Sequence, residues 1–204
     1  MNTRLTAMAF AFSTALGGLS VQAQTTQGAQ PAAGTQATQP GTSTQAAQPA
    51  ANPQGQSQLT QEDANFLENA IQGSHAEVEG SQLALEKTSS QDVKDFAQMM
   101  IKDHQMMAKE ASSLAQEKGM TPPDGPSAMQ VTEITALKAL SGGAFDAMYV
   151  NRIGVASHEA TVNMFDKASK GAQDPDVKAL ATKALPKLKE HLEMARALNE
   201  KQEK

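Results

Sequence analysis

Three histidines of this chain lie in the apolar rows of segments whose residues repeat with helical spacing. His104 continues the row formed by Ala97 and Met100, and His158 and His191 occupy the same kind of position in two later segments. A side chain in such a row turns into the protein core. Because an unpartnered ionisable group is costly there, each ring is expected to be hydrogen-bonded or bound to a metal ion.

A glutamate occupies the comparable row of the remaining long segment, where Glu77 follows Phe66 and Ala70 at helical spacing. All four polar residues lie near the middle of their segments. At about 1.5 Å per residue they reach similar heights in a bundle. Three imidazoles and a carboxylate complete a tetrahedral shell for one divalent ion, with donors suited to Zn, Fe, Cu or Ni. The predicted metal ligands are Glu77, His104, His158 and His191.

A second interpretation of the same four residues needs no metal. In it the carboxylate of Glu77 accepts hydrogen bonds from the histidines, and the buried polar layer fixes the register of the helices. His75 is the reserve ligand, because the pair Ser74-His75 corresponds to Ser157-His158 in a weak internal repeat. On a helical wheel, however, His75 faces away from the row that holds Glu77.

Other side chains are candidates for supporting roles around the histidines. Four of them could orient the rings by hydrogen bonding: Asp103, Tyr149, Glu159 and Glu190. Met100 and Met107 flank His104 one helical turn away on either side, and their thioethers could serve as soft ligands for Cu(I). The alternative is that both methionines are adaptable core residues.

The elements that position these residues are all helical. Thr60 and Asp174 are typical N-caps, Pro175 fits a first helical turn, and Gly119 and Gly171 mark helix ends. The predicted long helices span about 60–87, 90–118, 144–170 and 175–201, with a short helix at about 127–140. We therefore predict an all-α, ferritin-like four-helix bundle of two antiparallel hairpins, joined by a long connection that carries the short helix.

The first 58 residues have a different character from the rest. Arg4 is followed by an apolar stretch and by Val21-Gln22-Ala23, which predicts a signal peptide at 1–23 cleaved after Ala23 and a periplasmic or secreted protein. Residues 24–58 carry no charge and no large apolar side chain, which predicts a disordered Gln/Ala/Thr/Pro linker, either inert or associated with the envelope or cell wall. The bundle domain is predicted to occupy 59–204.

Composition limits the partners that the protein can have. The formal net charge of −5, with 3% aromatic residues and no Trp, argues against nucleic acid binding. Cysteine is absent, so neither disulfides nor a thiolate metal site can form. No transmembrane segment is predicted after the signal peptide. With no nucleophile motif or phosphate loop, the chain favours a binding protein over an enzyme, and an oxidoreductase using one metal and nearby Tyr149 is the least favoured hypothesis.

Four motifs together resemble a family of bacterial secreted proteins of unknown function. They are Phe66-Leu67 with Ala76-Glu77-Val78, Val93 through Asp103-His104, Phe145-Asp146 with Tyr149 and His158, and Leu185-Pro186 through His191-Leu192. The resemblance covers about residues 62–198 and implies a ferritin-like fold and an envelope location, since such proteins are often labelled outer membrane or periplasmic. It implies no reaction.

The chain departs from the di-iron members of the ferritin-like class. Their Glu-x-x-His motifs would need a glutamate three residues before a histidine, where this chain has Ile101 and Leu188. A mononuclear site is therefore expected. The leading functional hypothesis is a periplasmic protein that binds one transition metal, in envelope stress or metal homeostasis. The alternative is a non-catalytic structural or interaction protein of the envelope.

Overall fold

The computed structural model describes residues 59–202, so the predicted signal peptide and linker lie outside the described residues. All of its regular elements are helices, and residues 59–202 contain no strand. The helices are α1 (Gln61–Lys87), α2 (Gln91–Glu117), α3 (Ala128–Lys138), α4 (Gly142–Met148), α5 (Ser157–Gly171) and α6 (Pro175–Gln202). A π-helical turn, Tyr149–Ala156, joins α4 to α5 without a break. The all-α prediction is confirmed.

Short polar residues cap most of these helices. The Thr60 hydroxyl accepts a hydrogen bond from the backbone N–H of Asp63, and Ser90 does the same at the start of α2. Ser127 and Gln130 form a reciprocal capping box at the start of α3. The observed helix ends lie within two residues of the predicted ones.

Pairings between the helices fix the direction of each one. Lys201 bonds Asp92 at one end of the α2–α6 pair, and Lys118 bonds Asp176 at the other end, so these two helices are antiparallel. Ser81 contacts Tyr149, while Asp63 near the start of α1 accepts from the backbone of residues 173 and 174. Helix α1 is therefore antiparallel to the continuous α4–α5 rod.

These directions make α2 parallel to the α4–α5 rod. The connection from residue 118 to 142 must therefore run the length of the bundle, and it carries α3 along α1. Lys87 near the end of α1 anchors the connection by donating to the carbonyls of Lys138 and Leu140, both at 2.9 Å. Two hairpins with one long crossover are the topology of a ferritin-like bundle, and that prediction is confirmed.

The core is divided into two apolar clusters. One surrounds Tyr149, includes Phe96 and Phe145, and is called the Tyr149 cluster below. The other surrounds the ring pair Phe66 and Phe165 and is called the Phe66 cluster. The four predicted metal ligands lie along their helices between the stretches that build these two clusters. The fold thus places one buried polar layer between two apolar ones.

Candidate metal centre

Three helices bring the three predicted histidines together at one level of the core. His104 comes from α2, His158 from the first turn of α5 and His191 from α6, and all three are essentially inaccessible to solvent. The ring centroids form a nearly equilateral triangle with sides of 5.3, 5.3 and 5.5 Å. One nitrogen of each ring lies within 4.8 Å of the others.

The nitrogen spacing agrees with what a metal ion requires. Ligand nitrogens about 2.0–2.1 Å from a tetrahedral Zn ion are roughly 3.3–3.4 Å apart. The Nε2 atoms of His104 and His158 are already 3.3 Å apart. The third ring, that of His191, offers a nitrogen within 4.8 Å of the other two.

The other nitrogen of each ring lies beside an oxygen. Nδ1 of His158 is 3.2 Å from the carbonyl oxygen of Ile153, and Nε2 of His191 is 3.0 Å from Oδ2 of Asp103. Nδ1 of His104 lies 2.7 Å from Oε2 of Glu77, although out of line for a regular hydrogen bond. An acceptor beside the outer nitrogen places the ring proton there, so the inner nitrogen keeps its lone pair.

His191 shows this arrangement most directly. Its Nε2 donates to Asp103, and its Nδ1 is buried with no hydrogen-bond partner among residues 59–202. A buried nitrogen without a partner costs free energy in a protein core. A metal ion bonded to Nδ1 would remove that cost.

The carboxylate of Glu77 is a buried acceptor beside the rings of His104 and His158. Its Oε1 accepts a 2.7 Å hydrogen bond from the Ser157 hydroxyl and lies 3.6 Å from Nδ1 of His158. Burial by itself would raise the pKa of Glu77, but attraction to the close His104 and His158 rings and the hydrogen bond from Ser157 outweigh it and lower the pKa to about 2. Glu77 is therefore an anion at neutral pH.

Two of the histidines are held in their neutral form. Burial is the main cause that lowers the pKa of His158, and attraction to Glu77 opposes it only in part. Burial likewise lowers the pKa of His191 to about 4, against the hydrogen bond to Asp103. Because a metal ion binds the neutral imidazole, these rings are ready to coordinate at pH 7 without first losing a proton.

A π-helical turn positions His158. At its end the N–H of Ser157 bonds the carbonyl of Arg152, five residues back, so the next carbonyl, that of Ile153, meets the His158 ring. Such turns are rare and frequently mark functional sites. The prediction of one regular helix over 144–170 was wrong at this point. The glycine in its middle, Gly154, was the signal available in the sequence.

Gly154 is required by close packing. A Cβ atom added there would lie 3.1 Å from the Cβ of Ala195 on α6, a separation at which few side chains fit. Gly80 on α1 similarly faces the Ile153 side chain at 3.3 Å. The π-turn is thus confined between α1 and α6, and the Ile153 carbonyl is held against the His158 ring.

Of the three acidic candidates for supporting roles, only one contacts a histidine ring of the layer. Asp103 meets the ring of His191 on α6, although it is adjacent in sequence to His104. Glu159 and Glu190 are about half exposed and bond Arg196 and Lys187 at the surface.

The remaining candidates lie at different distances from the layer. The hydroxyl of Tyr149 lies 2.8 Å from that of Ser81, one turn of α1 beyond Glu77. His75 is half-buried and is not part of the histidine group. Met100 belongs to the Tyr149 cluster, whereas Met107 borders a small cavity beside His104. Sequence reasoning had given no role to Ser157 or to the Ile153 carbonyl.

The fold and this layer define a class: ferritin-like four-helix bundles with a buried histidine cluster. The profile of the domain of unknown function DUF4142 matches residues 46–198, and the chain belongs to that family. No curated protein matches this chain. No helix within residues 59–202 is long and apolar enough to cross a membrane.

Two solved structures resemble the bundle. One is a DUF305 fragment from Deinococcus radiodurans, with a TM-score of 0.62 and 14% identity over 70% of this chain and 98% of the fragment. The other is CopM in its Cu(II)-bound form, with a TM-score of 0.55 and 16% identity over 68% of this chain and 96% of CopM. At these identities the two structures support the fold.

Proposed function

We propose that this protein binds one transition-metal ion in the bundle core through His104, His158 and His191. The observation that carries the proposal is the orientation of the rings: their inner nitrogens converge, while each outer nitrogen faces an oxygen acceptor. Consistent with the predicted signal peptide, we place the protein in the bacterial envelope, where it sequesters or senses the ion.

Glu77 has a particular part in this proposal. The sequence predicted it as the fourth ligand, but its oxygens lie beside Nδ1 of His104 and Nδ1 of His158, on the outer side of both rings. We therefore infer that Glu77 orients the rings and offsets the charge of the ion, as Asp103 does for His191. The fourth coordination position is then left for a small ligand such as water.

Copper is the ion that we favour. A set of three imidazole nitrogens suits Cu, Zn, Ni and Fe, and nitrogen sites generally bind Cu(II) most tightly of the divalent first-row ions. Thioethers, which favour Cu(I), also lie near the layer, because Met107 and Met164 line a cavity against His104. CopM, a structural neighbour of this bundle, was solved with Cu(II) bound.

Elemental analysis of the purified protein tests the proposal. After incubation with a mixture of Cu, Zn, Ni and Fe ions and removal of free metal, we expect about one equivalent of a single metal. The variant His104→Ala should lose it, and the matched control His75→Ala should keep it, because His75 lies outside the layer. Less than about 0.1 equivalent in the unaltered protein would contradict metal binding.

A purely structural layer is the second candidate function. The 3.3 Å separation of the His104 and His158 nitrogens is also compatible with a weak hydrogen bond between the rings. In that case the layer fixes helix register within an envelope interaction protein. The two candidates differ in thermal unfolding, since metal binding predicts that a chelator lowers the unfolding temperature and a structural layer predicts no change.

A further inference from the structure

A small cavity lies directly against the histidine layer. Its volume is about 10 Å³, and Glu77 and His104 form part of its wall together with the thioethers of Met107 and Met164. A space of this size accommodates roughly one water molecule. The layer therefore borders a small space on this side, whose wall combines polar groups with two sulfur atoms.

A second cavity, of about 20 Å³, continues the first toward the surface. The two share four wall residues, Ala70, Ser74, Met107 and Phe165, so they lie side by side with the Met107 side chain at their boundary. The outer cavity extends to Glu110, a half-exposed residue whose two carboxylate oxygens each lie 2.9 Å from Nζ of Lys183. This ion pair spans α2 and α6 above the cavity.

Two other approaches to the layer are filled. Between α2 and α6 at the height of the layer, the Asp103–His191 hydrogen bond occupies the space. Toward the other half of the core, the Phe96, Phe145 and Tyr149 rings pack against one another and the Ser81 hydroxyl bonds the Tyr149 hydroxyl. A long, unbranched methionine with three rotatable bonds is easier to displace than any of these groups.

We propose that the two cavities are the route by which the metal ion reaches the histidines, and that the Met107 thioether binds Cu(I) along that route. The proposal rests on the proposed function. The cation enters the outer cavity beside the Glu110–Lys183 ion pair, and the Met107 sulfur bonds it between the cavities. That bond is then exchanged for one to the nitrogen of His104, and copper stays monovalent throughout. Thioether is a preferred ligand of Cu(I) and a poor one for Zn(II).

Loading kinetics test both parts of the proposal. Metal-free protein is mixed in a stopped-flow instrument with Cu(I) held by a chromogenic chelator or, separately, with Zn(II) held by a fluorescent indicator. Met107→Leu keeps the side-chain volume but removes the sulfur, so Cu(I) loading should slow at least about tenfold while Zn(II) loading is unchanged. Met107→Trp fills the boundary and should slow both ions by at least about tenfold.

Two further variants control the comparison. Met106→Leu alters the neighbouring, half-exposed methionine, which lines neither cavity, and should leave both loading rates unchanged. Ala184→Leu narrows only the outer cavity without touching His104, so it tests the route even if Met107→Trp fails to fold. At equilibrium Met107→Leu should still hold one equivalent of metal.

The outcomes separate the two proposals. If the unaltered protein takes up no metal, the proposed function and the route both fail. If it takes up one equivalent but loads at the same rate in Met107→Trp and Ala184→Leu, the route is wrong and the metal site stands. If Met107→Leu slows Zn(II) as much as Cu(I), or slows neither, the thioether has no selective role and that part is overturned.

Discussion

The two apolar clusters on either side of the histidine layer differ in how completely they are filled. In the Tyr149 cluster, Phe145 stacks on Tyr149 with a centroid distance of 6.1 Å, and Phe96 meets Tyr149 edge-on at 6.2 Å. The Phe66 cluster has one aromatic pair, Phe66 and Phe165 at 4.9 Å. Its remaining buried members include four alanines, and two cavities lie within or beside it.

This difference places a tightly packed region on one side of the histidine layer and a loosely packed region on the other. Bulky rings and the confined π-turn hold His158 from the Tyr149 side, so the geometry of the layer is determined there. Small side chains and flexible methionines on the Phe66 side leave room for movement beside His104. Close packing fixes the position of the His158 ring, and loose packing leaves space beside the His104 ring.

The largest expected effect is the loss of stability when an aromatic side chain of the Tyr149 cluster is removed. Tyr149→Ala should lower the free energy of unfolding by about 3–5 kcal/mol, because it removes a large ring from a filled region and leaves the Ser81 hydroxyl without its partner. Phe165→Ala should cost less, since neighbours can relax into the existing cavities. Urea unfolding of both variants gives the values, and a greater loss in Phe165→Ala would reverse our view of the two clusters.

The second effect concerns the layer between the clusters. Burial lowers the pKa of His191 from 6.5 to about 4, so the unfolded chain binds more protons than the folded one between these values. This residue alone should reduce the stability of the metal-free protein by about 3 kcal/mol as the pH falls from 7 to 4. Glu77, with its pKa lowered from 4.5 to about 2, should destabilise the fold further below pH 4.5.

Chemical denaturation at a series of pH values measures that dependence. In His191→Gln, the part between pH 6.5 and pH 4 that belongs to His191 should disappear, while His75→Gln should retain the dependence of the unaltered protein. Equal slopes in the unaltered protein and His191→Gln would show that the ring is not held neutral by the fold.

A smaller effect concerns the hydrogen bond that holds the His191 ring in the layer. Asp103→Asn should weaken metal binding about 10–100-fold, because the amide is a poorer acceptor for the His191 N–H and fixes the ring less firmly. Glu190→Gln changes a neighbouring carboxylate that faces solvent and should leave the affinity unchanged. Competition titration with a metal indicator measures both constants, and equal affinities would remove Asp103 from the site.

The smallest effect compares added volume in the two clusters. Ala97→Val inserts two methyl groups into the Tyr149 cluster, whereas Ala111→Val inserts them beside the outer cavity. Overpacking costs typically about 1–3 kcal/mol in a filled core. We expect Ala97→Val to be less stable than Ala111→Val by at least about 1 kcal/mol in urea unfolding, and the opposite order would mean that the cavities do not relieve the strain.

Helical periodicity was sufficient to predict the bundle and the convergence of the histidines. His104, His158 and His191 stood out because each interrupted an apolar row, and capping residues such as Thr60 and Asp174 predicted the helix ends to within two residues. These signals are local, and a sequence displays them directly.

The partners of the histidines depend on contacts that periodicity does not encode. Asp103 bonds His191 because of the register between α2 and α6, which is set by pairs distant in the chain such as Asp92 and Lys201. The phase of α1 placed Glu77 in the core, but not beside particular ring nitrogens. The signal peptide and linker remain predictions, since both lie before residue 59.

The π-turn limits how the length of this chain can vary. The turn holds one residue more than regular α-helical bonding would, because its N–H groups bond carbonyls five residues back. Deleting one residue between Tyr149 and His158 would therefore restore regular helical bonding and leave these two side chains facing nearly the same way. It would also return the Ile153 carbonyl to a backbone N–H and take it from the His158 ring. The extra residue of this segment thus supplies an acceptor for His158, and a deletion there would change the ring's hydrogen bond more than the packing of the helix.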